Sequence, residues 1–192
     1  MTSAEHKKKR LEELYAPYKK CMLCPLGNLG RSTVVFGEGN VDSPLMFVGE
    51  GPGREEDEQG KPFVGRSGKL LTRLLAIAEI DRKDIFITNI VKCRPPQNRR
   101  PSFEESSICK TILLLKQIDI INPKVICTLG SCAIDNIMEQ TFSISKIRGK
   151  PLAWNNRCII PTFHPAYALR NPLVIEKMVE DILNAKRKSR EC

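Results

Sequence analysis

The chain has no long apolar run. Its longest stretch without a charged side chain, Cys158 to Leu169, is 12 residues and is broken by Pro161 and Pro165, whereas a membrane-spanning helix needs about 20 apolar residues. No membrane span is expected. The basic cluster His6-Lys7-Lys8-Lys9-Arg10 has no apolar stretch behind it, so the start does not read as a secretory signal, and an intracellular location is expected. There is no internal repeat, low-complexity tract or Gly/Ser linker, which leaves one domain over 1–192 with short basic tails at about 1–10 and 186–192. Cysteine is too sparse for a disulfide scaffold: eight in 192 residues falls below the range of small stapled domains, and a reducing cytosol disfavours disulfides anyway. Acidic residues are outnumbered, 22 against 31 Lys and Arg, a net charge of +9. That surplus points to an anionic partner, nucleic acid first and an acidic membrane surface second. The 41% hydrophobic content can fill a core that buries roughly 70% of the unfolded chain's surface.

Short apolar runs alternate with helical periodicity. A helix is expected from Glu5 to Lys20, carrying Leu11, Leu14, Tyr15 and Tyr18, and ending at Cys21-Met22-Leu23-Cys24-Pro25. Pro44 to Val48 reads as a strand feeding Gly49-Glu50-Gly51-Pro52-Gly53, and an acidic, polar loop follows. Ser67 is placed to cap a helix with Leu70, Leu71, Leu74, Leu75 and Ala78 on one face. Ile85 to Val91 is a second strand, Arg94 to Pro101 a stiff basic loop, and Phe103 to Ile121 a helix. Val125 to Leu129 and Cys158 to Phe163 are further strands, with a helix through Ile134 and Met138 between them and another from Leu173 to Arg187. Strands separated by helices imply parallel crossovers. The expected fold is an α/β/α three-layer sandwich around a central, mainly parallel four-stranded sheet. Ligands bind outside the carboxyl ends of such strands, where Glu50, Thr88-Asn89, Gly130-Ser131 and His164 all fall.

Four constellations carry chemistry. Cys21, Cys24, Cys93 and Cys109 are soft donors that select zinc or an iron–sulfur cluster. Zinc sites more often pair two close knuckles, and a cubane accepts one close pair plus two distant ligands. Cys127, Cys132 and Cys158 sit in apolar contexts and read as core thiols, and Cys192 is a terminal thiol with no evident role. The Gly-rich stretch at Glu50 has neither a Gly-Lys-[Ser/Thr] ending nor a Gly-x-Gly-x-x-Gly pattern, so it is not a phosphate cradle of the usual kinds; its glycines let backbone approach a flat ligand. Phe63, on Pro62-Phe63-Val64-Gly65, is either a packed loop residue or a platform on which a base stacks. Asn89 offers an amide donor and acceptor, a match for one edge of uracil; Lys92, Arg94, Arg99 and Arg100 follow it, the arginines and prolines suiting a stiff loop against phosphates. His164, one of two histidines, closes the last strand before Pro165-Ala166-Tyr167 and Arg170.

Together these stretches resemble the family 4 uracil-DNA glycosylases, the iron–sulfur branch of that superfamily. The resemblance runs from about Leu11 to Lys186. It rests on Gly-Glu-Gly-Pro-Gly, Pro-Phe-Val-Gly, Thr-Asn-x-Val-Lys-Cys-Arg-Pro-Pro and His-Pro-Ala in the family's order, with the four cysteines interleaved at its spacing. Family 5 differs where Glu50 stands, and the cross-linking branch has a basic insertion that is missing between Cys93 and Cys109.

The resemblance implies catalytic roles for Glu50, on the attacking water, and His164, a donor near uracil O2. It implies main-chain contacts from Gly51, stacking by Phe63 and edge recognition by Asn89. The loop from His164 to Pro172, with Tyr167 and Arg170, is implied to enter DNA beside the flipped nucleotide, and Arg94, Arg99 and Arg100 to contact it. Cys21, Cys24, Cys93 and Cys109 are implied to hold a structural [4Fe–4S] cluster. The partner is uracil-containing DNA, double- or single-stranded, bound by a monomer. A sliding clamp could dock on Lys186 to Arg190, although a solvated helix end is the plainer reading. Two other functions fit parts of the pattern. A non-catalytic nucleic-acid-binding module with a structural zinc shares the basic charge and the cysteines, but does not require Phe63, Asn89 and His164 at separate strand ends. An enzyme of free uridine leaves the Arg94 to Arg100 loop unexplained.

Overall fold

A computed structural model of the protein describes residues 2–191. Residues 1 and 192, at the ends of the two expected basic tails and including the terminal thiol, lie outside the described residues. The sheet contains β1 (Glu38–Gly39), β2 (Leu45–Gly49), β3 (Phe86–Asn89), β4 (Val125–Leu129), β5 (Leu152–Trp154) and β6 (Arg157–Thr162), in the spatial order β1-β3-β2-β4-β6-β5. The four expected strands form the parallel centre, with Gly49 opposite Asn89 and Leu129 opposite Thr162. The expectation of four strands is corrected to six, because β1 and β5 add short antiparallel edges. Both are only two or three residues long and partly exposed, so neither carries a buried apolar run that a sequence pattern would reveal.

Alternation along the parallel strands divides the core. Met46 and Val48 face one layer, made by α1 (Ser3–Tyr15) and the long helix from Phe103 to Ile121, while Leu45 and Phe47 face the other. That second layer holds α3 (Arg66–Ile77), which follows the short α2 (Arg54–Gln59), and the last helix, Ile175–Glu191. Fully buried side chains such as Phe47 each contribute about 1.5–3 kcal/mol through removal from water. The long helix consists of α4 (Phe103–Cys109), a π-helical turn (Lys110–Leu114) and α5 (Leu115–Ile121). Its start is a capping box in which the Ser102 hydroxyl accepts from the Glu105 N–H and the Glu105 carboxylate accepts from the Ser102 N–H. The remaining helices are α6 (Ser131–Met138), α7 (Ile144–Ile147), α8 (Pro165–Ala168) and α9 (Ile175–Glu191).

Several helices differ from the periodicity. α1 stops at Tyr15 and a 3₁₀ turn holds Ala16–Tyr18, because Pro17 has no N–H to continue the ladder. The stretch after Gly53, expected as a loop, is α2, whose first turn carries Glu55, Glu56 and Asp57, favourable charges at a helix N-terminus. Ser67 lies inside α3, and Gly65 takes the cap position. Among the described residues, no helix is long and apolar enough to cross a membrane. At the other end of the chain, α9 runs on to Glu191, and Lys186 within it donates to the carbonyls of Ala78 and Glu79.

Candidate active site and thiol cluster

At the carboxyl ends of the parallel strands lies a cavity of about 430 Å³. Its wall includes Glu50 and Gly51 after β2, Asn89 at the end of β3, His164 after β6, and Phe63, Arg99, Tyr167 and Arg170 from loops. The crossover topology has brought residues more than 100 positions apart to one rim. Arg94 and Arg100 are not part of this wall.

Asn89 is 1% exposed, and its Oδ1 has no hydrogen-bond partner. A buried unpaired acceptor costs about 1–3 kcal/mol, so its retention in a cavity wall marks a place for a ligand donor. Phe63 is held beside it in the left-handed region at φ 53°, a strained setting for a residue with a side chain. Two glycines make room for this arrangement. A Cβ on Gly49 would stand 2.4 Å from the Phe63 ring and 2.5 Å from Asn89 Oδ1, and a Cβ on Gly68 would stand 2.0 Å from the Phe63 backbone. Gly51 is similarly confined, its Cβ position lying 2.7 Å from Val91.

Glu56 was not apparent from the sequence, although its position three residues after the Gly53 helix start is a capping signal. It is 7% exposed and joins two loops: Oε2 accepts from the Gly53 N–H, and Oε1 accepts from the Val64 and Gly65 N–H groups. The Gly-rich loop and the Phe63 loop are thereby fixed to one another.

The ring of His164 lies 5.9 Å from that of Phe63, centroid to centroid. Its Nδ1 accepts from the Ala166 N–H at 3.1 Å and caps α8, so the ring proton of the neutral imidazole belongs on Nε2. Burial first, then the Arg170 charge, holds the His164 pKa down at about 4. At neutral pH the cavity therefore has an uncharged N–H donor. Burial raises the Glu50 carboxyl above its ordinary value, opposed by a hydrogen bond from Cys132 and by the Arg100 charge. Cys132, expected as a core thiol, is buried but meets Glu50; burial and then the Glu50 charge push it up to about 12, so it stays protonated.

The expected DNA-facing arginines are ordered by local partners. Arg99 makes a two-pronged contact with the buried carboxylate of Glu105 at 2.7 and 2.8 Å, Arg100 pairs with Asp135 at 3.0 Å, and Arg94 donates to the Asn98 side chain. The side chains of Arg99 and Arg100 nevertheless remain 43% and 56% exposed. Tyr167, in α8 and in the cavity wall, and Leu169 just after it are large exposed side chains in the segment that follows His164.

The four cysteines converge on the other side of β3. Cys93 and Cys109 are buried, Cys21 and Cys24 half-buried, and all four pack in one cluster. Burial pushes Cys93 up to about 12 and Cys109 up to about 11, with further upward pressure on each from neighbouring thiols that include Cys24. Arg31, unremarked in the sequence, hydrogen-bonds Cys93, donates to the Cys21 carbonyl and keeps a buried Nε with no partner. Among the described residues, no three His, Cys, Asp or Glu side chains are grouped as a site for a single metal ion.

Residues 36–186 match the family profile of the Uracil DNA glycosylase superfamily. The chain belongs to that superfamily. A type-4 uracil-DNA glycosylase of Thermotoga maritima is 52% identical over 172 residues, 88% of each chain. Those of Saccharolobus solfataricus and Sulfurisphaera tokodaii are 44% and 43% identical over 177 and 180 residues, 88% and 89% of this chain and 81% of each relative. The superfamily match covers every cavity-wall residue named above and two of the four cysteines, Cys93 and Cys109; Cys21 and Cys24 precede it.

Proposed function

We propose that this uracil-DNA glycosylase is an intracellular type-4 enzyme that acts as a monomer, hydrolysing the N-glycosidic bond of a deoxyuridine flipped out of DNA and leaving an abasic site. The observation that carries the reading is the unpartnered Asn89 amide oxygen in a single-chain cavity shared with Phe63, His164 and Glu50. A base inside a duplex is out of reach of any pocket, so the nucleotide is extruded at a cost of a few kcal/mol, offset by phosphate contacts from the basic rim. Asn89 Oδ1 accepts the uracil N3–H and the amide nitrogen donates to O4, while Phe63 stacks on the ring. As the C1′–N1 bond breaks, negative charge gathers on uracil and positive charge on the sugar. The Nε2–H of His164 donates to O2 where that charge develops. Glu50, ionised, orients a water on C1′ and takes its proton; the uracil anion departs and is protonated.

Cleavage of a uracil-containing oligonucleotide at the uracil position, after alkaline treatment, is the direct test. An unchanged strand would refute the glycosylase reading, and release of uracil from free uridine alone would favour the nucleoside enzyme.

The rate should carry one acid limb. Glu50 works as the carboxylate and its pKa is raised, so activity is present above that raised value and is lost as pH falls through it. His164 is already neutral above about pH 4 and adds no inflection near 6.5. Single-turnover rates of wild type and Glu50→Gln across pH check this: the limb above about pH 4 should disappear in the variant, and a rise in rate with pH through 6.5 surviving in it would overturn the His164 assignment.

The donor set fits a structural [4Fe–4S] cluster held by Cys21, Cys24, Cys93 and Cys109. Four thiols packed in one cluster suit a core that takes several thiolates, and the orphaned Arg31 Nε suits the negative charge of such a group. When bound, it ties the amino-terminal knuckle to the Arg-rich loop. The purified protein should be brown with a band near about 400 nm, with iron and sulfide in equal amounts; a colourless protein containing zinc would refute this.

A further inference from the structure

Lys92 is fully buried and stands between the two sites. Its main-chain N–H donates to Cys109 Sγ at 3.3 Å, and its side chain turns back under the end of β3. There Nζ meets three acceptors: Thr88 Oγ1 at 2.5 Å, the Asn89 carbonyl at 2.8 Å and Gln117 Oε1 at 2.6 Å. An ammonium group has three donors and no acceptor, so the site matches it bond for bond. The Phe36 carbonyl fixes the sense of the network, because it accepts from both the Thr88 hydroxyl and the Gln117 amide nitrogen, leaving the oxygens of both side chains to accept from Lys92.

We infer that Lys92 is a positioning residue for uracil recognition, acting through the Asn89 main-chain carbonyl to hold the base-reading amide in register. The inference rests on the glycosylase reading. Asn89 is the last residue of β3; beyond it the Ile90 N–H donates to the Gly49 carbonyl at 2.9 Å, which holds the Asn89–Ile90 peptide from one side, and Lys92 Nζ holds its carbonyl from the other. The side-chain donor to its carbonyl is Lys92 Nζ, fully buried and with its own backbone anchored at the thiol wall. An aliphatic side chain in its place would leave the Asn89 carbonyl without this donor, so that the peptide is held on its N–H side alone and can tilt about that bond. The Asn89 amide would then present its edge to uracil at the wrong angle, while Phe63, His164 and the phosphate contacts stayed in place.

The experiment is a double-mutant cycle on the purified cluster-containing protein. Lys92→Met and Thr88→Val, which removes one acceptor at nearly constant shape, are each made in the wild-type and Asn89→Ala backgrounds. Two quantities are read: single-turnover excision, and binding preference for duplex DNA with 2′-fluoro-deoxyuridine, which resists cleavage, over the same duplex with thymidine. Lys92→Met should lower both by about 10- to 100-fold in the wild-type background and by less than about 2-fold in Asn89→Ala, the signature of coupled residues. Thr88→Val should move them the same way by less, and decides the matter if Lys92→Met does not fold. Absorbance near about 400 nm should be retained throughout. Equal losses in both backgrounds would reduce Lys92 to a general stabiliser and overturn the inference while leaving the glycosylase reading intact. A wild-type protein that neither cleaves uracil DNA nor prefers the fluorinated site would overturn both.

Discussion

Replacing His164 with alanine should lower single-turnover uracil excision by about 10²- to 10³-fold, the usual cost of removing one fixed donor aimed at developing charge, with DNA affinity nearly unchanged. The barrier lies in breaking C1′–N1, where charge leaves the sugar and collects on the base. A donor that is neutral beforehand is well suited to meet it, because it pays no desolvation of its own charge in the ground state. His164 meets this requirement through its surroundings: the Ala166 N–H occupies Nδ1, and burial with the nearby Arg170 holds the ring uncharged. Alanine also removes a helix cap, worth about 1 kcal/mol, but α8 is one short turn and the rest of the rim is held by other elements. His164→Asn keeps a capping oxygen, so comparison with it separates the cap from the donor: the asparagine variant should restore stability without restoring the rate. An unchanged rate in His164→Ala would remove the residue from the mechanism.

What could be read from the sequence was the part that depends on period and on chain punctuation. The central strands were visible because each is an apolar run ended by Gly, Asn or His, and parallel crossover then dictates that those ends share a rim. The edge strands were invisible for the opposite reason: Glu38–Gly39 and Leu152–Trp154 are too short to show a period, and each of their residues is at least partly exposed. Most of the uracil- and DNA-facing residues that the sequence marked line the cavity, Arg94 and Arg100 being the exceptions. The supporting layer stayed hidden, since its residues look like surface charges in one dimension. Glu56 and Lys92 sit in polar or basic stretches, yet fold to 7% and 0% exposure. Their role depends on which backbone groups lie above them, and no spacing rule reports that. Cys132 shows the same limit. Its apolar neighbours are those of a core thiol, and only the approach of the β2 loop to the start of α6 brings it to Glu50.

The largest effect should come from the residue whose partner is missing in the free protein. Asn89 holds its Oδ1 in a buried position with no hydrogen bond, and the glycine at 49 leaves room for both the amide and the Phe63 ring. Uracil presents an N3–H donor beside an O4 acceptor, and a fixed amide satisfies both at once. Cytosine presents an unprotonated N3 beside an N4 amino donor, so it confronts that amide with two mismatched contacts. Sites built on such paired bonds reject the wrong partner by about 10⁴-fold. Asn89→Asp changes the chemistry with little change of shape: an ionised carboxylate has acceptors only, which oppose uracil O4 and suit cytosine N4. Uracil excision should fall steeply, and the preference for uracil over cytosine, measured as the ratio of single-turnover rates on matched oligonucleotides, should shrink by up to about 10⁴-fold. Binding to DNA that already contains an abasic site should be unaffected, because that product has no base edge to read. Full retention of uracil selectivity in the aspartate variant would show that recognition lies elsewhere in the cavity.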